Sequence, residues 1–90
     1  MDRPGAFTPL RTADGEIQSI VNQVLPAVND ARNEDNRGLV AIVYQSQVVN
    51  GINFRVLVNI RPEYFLRLEI FVAAGPDAVP VLQNVREASL

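Results

Sequence analysis

A helical spacing of apolar residues is the first pattern along the chain. From Asp14 onward, aliphatic residues recur at helical spacing, so they lie on one face of a predicted α-helix. Asp14 is the predicted N-cap, and the polar stretch 33–38 predicts the end of the helix. Pro26 removes one backbone donor inside it, which predicts a bend. The apolar face comprises Ile17, Ile20, Val21, Val24, Val28 and Ala31.

Alternating apolar residues after this helix predict four strands and the turns between them. The first two strands flank Asn50-Gly51, a dipeptide typical of hairpin turns because both residues tolerate positive φ. Hairpin tips are usually polar, whereas Val48 and Val49 stand beside this turn, so the tip is a candidate contact surface. The strands are predicted at 39–48, 52–60, 64–72 and 79–85.

The same alternation predicts how the first two strands pair. If paired residue numbers sum to 102, the apolar faces of both strands meet the helix, whereas a sum of 101 turns Gln45 and Gln47 inward. We therefore predict a sum of 102. This register turns Val48 toward the core and leaves Val49 projecting outward at the tip.

The third strand is predicted to pair with the second through a short turn. Numbers in these pairs sum to 124, which places Arg55 opposite Glu69 on the outer face. In an antiparallel meander, alternate hairpin loops lie at the same end of the sheet. We therefore expect the tips at Val49 and Gly75 to lie side by side.

The length and composition favour a single α+β domain over residues 1–90. Ninety residues, 48% of them hydrophobic, support one core and not two. Residues 1–13 carry prolines, glycine and small polar residues without a helical or strand period, which predicts a flexible arm. Its large side chains are Phe7 and Leu10. This arm is either a frayed terminus or a segment that lies along a partner.

The charge and the missing residue types exclude several classes of function. The net charge is −2, so we expect no nucleic acid or membrane partner. The chain has neither cysteine nor histidine, so we expect no metal, no cofactor and no enzymatic activity. The first residues carry no signal-peptide pattern, which predicts a cytoplasmic protein. All eight basic residues are arginine, and the sequence does not say whether this bias is natural or engineered.

Two motifs resemble the cystatins, which inhibit papain-like cysteine proteases. Gln47-Val48-Val49-Asn50-Gly51 matches Q-x-V-x-G, the first-hairpin motif of that superfamily, and the lack of cysteine is similar to its stefin branch. The predicted helix also resembles the stefin helix at Glu16-Ile17-Gln18, Ile20-Val21 and Val24-Leu25-Pro26. The resemblance covers about residues 4–87 and implies a cystatin-like fold, with one long helix packed on an antiparallel sheet of four to five strands.

This resemblance implies a reversible, tight-binding inhibitor of cathepsin-type proteases that occludes the active-site cleft. The arm, the first hairpin and the second hairpin would all enter the cleft, although the family's second-hairpin Leu-Pro is replaced here by Ala74-Gly75, with Pro76 one place later. It also implies a monomer able to form a domain-swapped dimer, with its hinge at 47–51. The implied protease-binding residues are Pro4, Gly5, Ala6, Gln47, Val48, Val49, Asn50, Gly51, Ala74, Gly75 and Pro76.

One alternative is a cystatin-fold module for interaction or self-assembly without strong inhibition. The altered second hairpin favours it, as does an excess of apolar residues on the outer face at Leu57, Phe65 and Phe71. Scattered surface apolar residues are equally ordinary, however. Inhibition of papain distinguishes the two interpretations.

A second alternative is an enzyme that uses carboxylates at Glu63 and Glu69 near Arg67. General acid and base catalysis needs such groups to converge in a cleft with a partner base. The alternating pattern instead predicts a solvated sheet face, so we favour the inhibitor.

Overall fold

Within residues 5–89, which the computed structural model describes, the chain forms one helix and five strands. The helix packs on a five-stranded antiparallel sheet, which confirms the predicted α+β fold. The strands follow one another in chain order across the sheet. The elements are β1 (Arg11–Thr12), α1 (Gly15–Arg32), β2 (Val40–Val49), β3 (Gly51–Arg61), β4 (Tyr64–Ala73) and β5 (Val81–Ala88).

Local hydrogen bonds fix both ends of α1. The backbone N–H of Ile17 donates to Oδ1 of Asp14 at 3.0 Å, which confirms the predicted N-cap. Asn33 caps the other end in the left-handed conformation, with φ of 52°. Pro26 lies inside the continuous helix. The predicted apolar face is buried at Ile17, Ile20, Val21, Val24 and Val28.

The prediction for the last residue of that face, Ala31, is wrong. Ala31 is exposed beside an open cleft of about 570 Å³ between the second half of α1 and β5. Leu82 and Val85 of β5 line the opposite side of this cleft. A methyl group is too short to close the space, so this part of α1 contributes no core residue after Val28.

The centre of the core lies where β3 and β4 face α1. Alternate residues of the two strands are buried, and their paired numbers sum to 124, which confirms the predicted register. On the outer face, Arg55 stands opposite Glu69, with Arg55 Nε 3.9 Å from Glu69 Oε1. The buried cross-strand pairs are Phe54 with Ile70, Val56 with Leu68 and Val58 with Leu66.

The predicted register of β2 on β3 is wrong by two residues. Tyr44 pairs with Val56 and Ser46 with Phe54, so the numbers sum to 100 and not to 102. The cause is a tighter turn than expected: Val49 already pairs with Gly51, and Asn50 alone connects the strands. A shift of two residues keeps the side chains from Val43 to Val49 on their predicted faces, because side chains alternate with a period of two.

An irregularity near Ile42 changes the register again at the start of β2. Val43 pairs with Leu57, but Ala41 pairs with Val58, so Ile42 is an additional residue on the β2 side. Ala41, and not Ile42 as predicted, therefore packs against the core. The backbone carbonyl of Ile42 accepts a hydrogen bond from the N–H of Ala13 at 3.0 Å.

The side-chain amide of Gln18 connects α1 to the beginning of β2. Its Nε2 donates to the carbonyl of Leu39 at 2.7 Å, and its Oε1 accepts from the N–H of Ala41 at 2.9 Å. Each such hydrogen bond contributes roughly 1 kcal/mol to stability. Gln18 thus holds the strand at the site of its irregular pairing.

β2, β3 and β4 begin and end within one residue of their predicted bounds, whereas the last strand and β1 differ more from the sequence prediction. The last strand runs from Val81 to Ala88 and not over 79–85, because Pro80 has no backbone donor for a sheet hydrogen bond. β1 was not predicted, since a strand of two residues has no measurable period. It pairs with β2 inside the segment expected to be the arm.

A polar cluster ties the end of α1 to β4 and β5. One nitrogen of Arg32, Nη2, donates to the hydroxyl of Tyr64 and to Oε1 of Glu87, both at 2.9 Å. The Tyr64 hydroxyl in turn donates to Oε2 of Glu34 at 2.7 Å. This hydrogen bond is the main reason that the pKa of Glu34 lies below its usual value of 4.5, with a further contribution from the amide of Asn36.

We expect Glu34→Gln to lower the free energy of unfolding at neutral pH. A carboxylate whose pKa is depressed by folding stabilises the protein above its unfolded-state pKa, and this stabilisation is lost as the pH falls through the folded-state value. The difference from the unsubstituted chain should therefore narrow below about pH 4.5. Urea unfolding of both chains between pH 3 and 7 measures this difference in the free energy of unfolding.

The matched control is Asp77→Asn, which removes one exposed carboxylate that has no hydrogen bond or ion pair among residues 5–89. A constant difference between Glu34→Gln and the unsubstituted chain at all pH values would contradict this role of the Glu34 carboxylate.

Candidate binding surface

The first hairpin brings Gly51 into close contact with the end of β4. Gly51 has φ of 123°, a conformation that L side chains rarely adopt. A Cβ at this position would lie 2.6 Å from the carbonyl oxygen of Val72 and 3.0 Å from Cα of Ala73. The turn therefore requires glycine both for its conformation and for the space beside β4.

The two hairpin tips lie side by side, as expected from the meander. Together they line an open groove of about 430 Å³ on the end of the sheet. The second tip is exposed at Ala74, Gly75 and Pro76, and it carries no large side chain. The residues of the groove are Val48, Val49, Asn50, Gly51, Ile52, Val72, Ala73, Ala74 and Gly75.

Both valines of the first tip are exposed, so the predicted contact of Val48 with the core is wrong. Val48 is 69% exposed and Val49 is 44% exposed. The prediction paired Val48 with Phe54 in the core, whereas Val48 pairs with Ile52, which is itself exposed. The one-residue turn moves Val48 toward the tip, beyond the part of the sheet that α1 covers.

The segment before β1 runs along the free edge of β2 toward the same tip. The N–H of Thr8 donates to the carbonyl of Ser46 at 2.9 Å, and the N–H of Ser46 donates to Oγ1 of Thr8 at 3.1 Å. Nε2 of Gln45 donates to the carbonyl of Thr8 at 3.0 Å. Nearer the tip, Nε2 of Gln47 donates to the carbonyl of Gly5. Pro4 lies outside the described residues.

Phe7 attaches this segment to the outer face of the sheet. The guanidinium carbon of Arg55 lies 3.8 Å from the centre of the Phe7 ring, and Arg55 is also paired with Glu69. A cation over an aromatic ring contributes about 0.5–1 kcal/mol at an exposed site. The sequence marks Phe7 as a large side chain of the arm, but its pattern carries no signal for the contact with Arg55.

The structure does not bring the carboxylates of the enzyme alternative together. Glu63 lies in the turn between β3 and β4, at the opposite end of the sheet from the tips. Glu69 lies within β4, where it also accepts a hydrogen bond from Nδ2 of Asn84 at 3.0 Å. Within residues 5–89, no group of three potential metal ligands is found, and no helix combines the length and apolarity needed to cross a membrane.

Comparison with known proteins agrees with this geometry. The family model for the cystatin domain matches residues 5–78. The chain belongs to the cystatin family. The matched range includes the arm from Gly5, α1, both hairpin tips and the three central strands, so every described part of the candidate surface lies inside the cystatin domain.

Several curated cystatins are similar to the chain over most of its length. Cystatin-A from Felis catus is 34% identical over 68 residues, which cover 76% of this chain and 69% of that protein. Leukocyte cysteine proteinase inhibitor 1 from Sus scrofa is 34% identical over 67 residues, covering 74% of this chain and 65% of that protein. Stefin-C from Bos taurus is 29% identical over 77 residues, covering 86% and 76% respectively. These similarities support a stefin-like cystatin.

We expect Gly51→Ala to destabilise this cystatin more than Gly75→Ala does. Both glycines have positive φ, 123° and 118°, but a Cβ at Gly75 would meet no atom within 4 Å. Gly75→Ala should cost about 1–2 kcal/mol for its backbone conformation. Gly51→Ala should cost roughly a further 1–3 kcal/mol, because β3 must move away from β4. Urea unfolding of both variants measures the difference.

Gly38→Ala is the matched control, since Gly38 has neither a positive φ in the strained range nor a neighbouring atom within 4 Å of an added Cβ. Equal losses of stability at Gly51 and Gly75 would show that the contact with β4 is unimportant.

Proposed function

We propose that this cystatin is a reversible, tight-binding inhibitor of papain-like cysteine proteases, including cathepsin-type enzymes, and that it is not an enzyme. The observation that carries the proposal is the groove that the two tips share, which Val49 and Gly75 both line. Gly5 is held near this groove by its hydrogen bond to Gln47, two residues before Val49. A relative that is similar over 74% of this chain is itself named a cysteine proteinase inhibitor.

The proposed mechanism is occlusion of the protease cleft. The first tip would lie over the catalytic cysteine and histidine of the protease, with the arm on one side and the second tip on the other. Val48 and Val49 would supply apolar contact area, and Gly51 would allow the backbone to approach closely. The turn presents no scissile carbonyl in attack geometry, so no covalent step is required.

The proposed contact surface comprises three segments. Pro4 belongs to it only as a sequence prediction, because it lies outside the described residues. The remaining members lie in the arm or at the two tips. Continuous pairing of β2 with β3 up to Val49 and Gly51 holds the first tip, which limits the entropy lost on binding. The surface comprises Pro4, Gly5, Ala6, Gln47, Val48, Val49, Asn50, Gly51, Ala74, Gly75 and Pro76.

The alternative of a self-assembly module has less support from the structure. One of its supports is the apolar outer face at Leu57, Phe65 and Phe71, and all three are half-buried. The other support is the altered second hairpin, whose tip carries no large side chain. The apolar residues exposed together are instead Val48, Val49 and Ile52, on the side proposed for the protease. The cytoplasmic location remains a prediction from the sequence.

We expect the unsubstituted chain to inhibit papain and Val49→Asp to weaken this inhibition at least 100-fold. A carboxylate buried in the interface without a partner costs several kcal/mol, and 100-fold corresponds to about 2.7 kcal/mol. The melting temperature should change little, because Val49 is exposed in the free protein. Titration of papain activity with each variant measures the inhibition constant.

Val40→Asp is the matched control: Val40 is 58% exposed and lies at the opposite end of β2. Similar weakening by both substitutions would place the protease elsewhere on the molecule. If Val49→Asp unfolds the protein and Val40→Asp does not, Val49 has a structural role.

We further propose that two chains can exchange β1, α1 and β2, with residues 47–51 as the hinge. Opening the turn would merge β2 and β3 into one long strand, while all core contacts re-form between chains. The merged strand would no longer contain the tip.

A dimer formed by mild heating should therefore lose inhibition of papain. Size-exclusion chromatography separates the two species, and each is then titrated against the protease. A dimer fraction that still inhibits as strongly as the monomer would exclude a hinge at 47–51.

A further inference from the structure

The side-chain amide of Gln47 links the arm to the first hairpin. Its Nε2 donates to the carbonyl of Gly5, and its Oε1 accepts from Nδ2 of Asn53 at 2.9 Å. Gln47 and Asn53 are direct cross-strand partners on β2 and β3. One polar chain therefore runs from β3 through β2 to the backbone of the arm.

The chemistry of an amide gives Asn53 control over this link. The group has one donating end and one accepting end, and a half-turn about its terminal bond exchanges them. Because Asn53 donates to Oε1, Nε2 is directed toward the carbonyl of Gly5. In the reversed orientation two oxygens, Oε1 of Gln47 and the carbonyl of Gly5, would face each other and repel.

The rest of the described arm is held a few residues further along. Thr8 makes three hydrogen bonds to Gln45 and Ser46, and Phe7 lies over Arg55. The link to Gly5 is the hydrogen bond nearest the tip among the described residues, so it fixes the position of Gly5 relative to the first hairpin. The segment before Gly5 starts from this position.

We propose that Asn53 is a positioning residue for protease binding: it orients the amide of Gln47, which holds the arm at Gly5 in the direction the protease cleft requires. This inference rests on the proposed function and assigns Gln47 a role within the inhibitor itself. The arm is then ordered before the complex forms, so less entropy is lost on binding. The contribution of Asn53 to inhibition should appear mainly in the rate at which the complex with the protease dissociates.

Two substitutions separate orientation from simple loss of contact. Asn53→Asp replaces the donor by an acceptor, so the Gln47 amide turns over and no longer donates to Gly5. Gln47→Glu still accepts from Asn53 but has no donor for Gly5. The matched controls are Asn22→Asp and Gln23→Glu on the exposed face of α1, which make the same changes of charge and shape.

The first measurement requires no protease. Backbone ¹⁵N relaxation of the free protein should show order parameters for Gly5 and Ala6 that fall below about 0.6 in Asn53→Asp and Gln47→Glu, while Phe7, Thr8, β3 and β4 remain rigid. Both controls should retain the order of the arm. Unchanged order parameters in the two variants would overturn the proposal, and Gln47→Glu decides the case if Asn53→Asp does not fold.

The second measurement is a thermodynamic cycle with the arm. Stopped-flow kinetics with papain gives the dissociation rate for each variant, in the full chain and in a chain lacking residues 1–6. Asn53→Asp should accelerate dissociation about 10-fold in the full chain and leave the shortened chain unchanged, because its partner there is already removed. Equal acceleration in both backgrounds would show that Asn53 acts on the hairpin or the protease directly, which overturns the proposal.

The two measurements also separate the inference from the proposed function. A chain that does not inhibit papain overturns the proposed function and the inhibitory role of Asn53 together. The order parameters still decide whether Asn53 and Gln47 hold the arm on the sheet.

Discussion

The strict alternation of side chains along β3 and β4 is the constraint on which the rest of the structure depends. Three buried cross-strand pairs, Phe54 with Ile70 among them, form the surface on which α1 packs. Burial of each such side chain contributes roughly 1.5–3 kcal/mol. A slip of one residue would turn the whole row to solvent, so the pairing of β3 with β4 keeps one register from Gly51 to Asn59.

This pairing sets the geometry of the binding surface at the end of the sheet. Because Gly51 pairs with both Val49 and Ala73, it joins the first tip to the strand that leads into the second. The arm reaches the same end along the other edge of β2, through Gln47. The core therefore positions Gly5, Val49 and Gly75, although none of them belongs to it.

Features with a strong local signal could be predicted from the sequence. The N-cap Asp14, the buried face of α1 and the pairing of Arg55 with Glu69 all follow from spacing and alternation. The register of β2 could not be fixed, because inward and outward positions are identical after a shift of two residues. The irregularity at Ile42 is held by hydrogen bonds between Ala41 and Gln18 and between Ala13 and Ile42, which have no counterpart in the apolar pattern of the sequence.

The candidate surface was predictable in its parts but not in its connections. The motif around Asn50-Gly51 and the meander order indicated two adjacent tips. The hydrogen bonds of Gln47 with Gly5 and Asn53, and the stacking of Phe7 on Arg55, join single residues from distant segments. Such contacts depend on side-chain directions that only the folded sheet defines.

The meander order of the sheet also bears on how quickly the chain can fold. Along β2 to β5 every strand pairs with its neighbour in sequence, and the first two of these connections contain only one and two residues. Closing such short loops costs little entropy, so these hairpins can form early. The long connection is α1, between β1 and β2, and its docking requires β3 and β4 to be paired already. We therefore expect core substitutions in β3 and β4 to slow refolding more than those in α1, which stopped-flow φ-values would test.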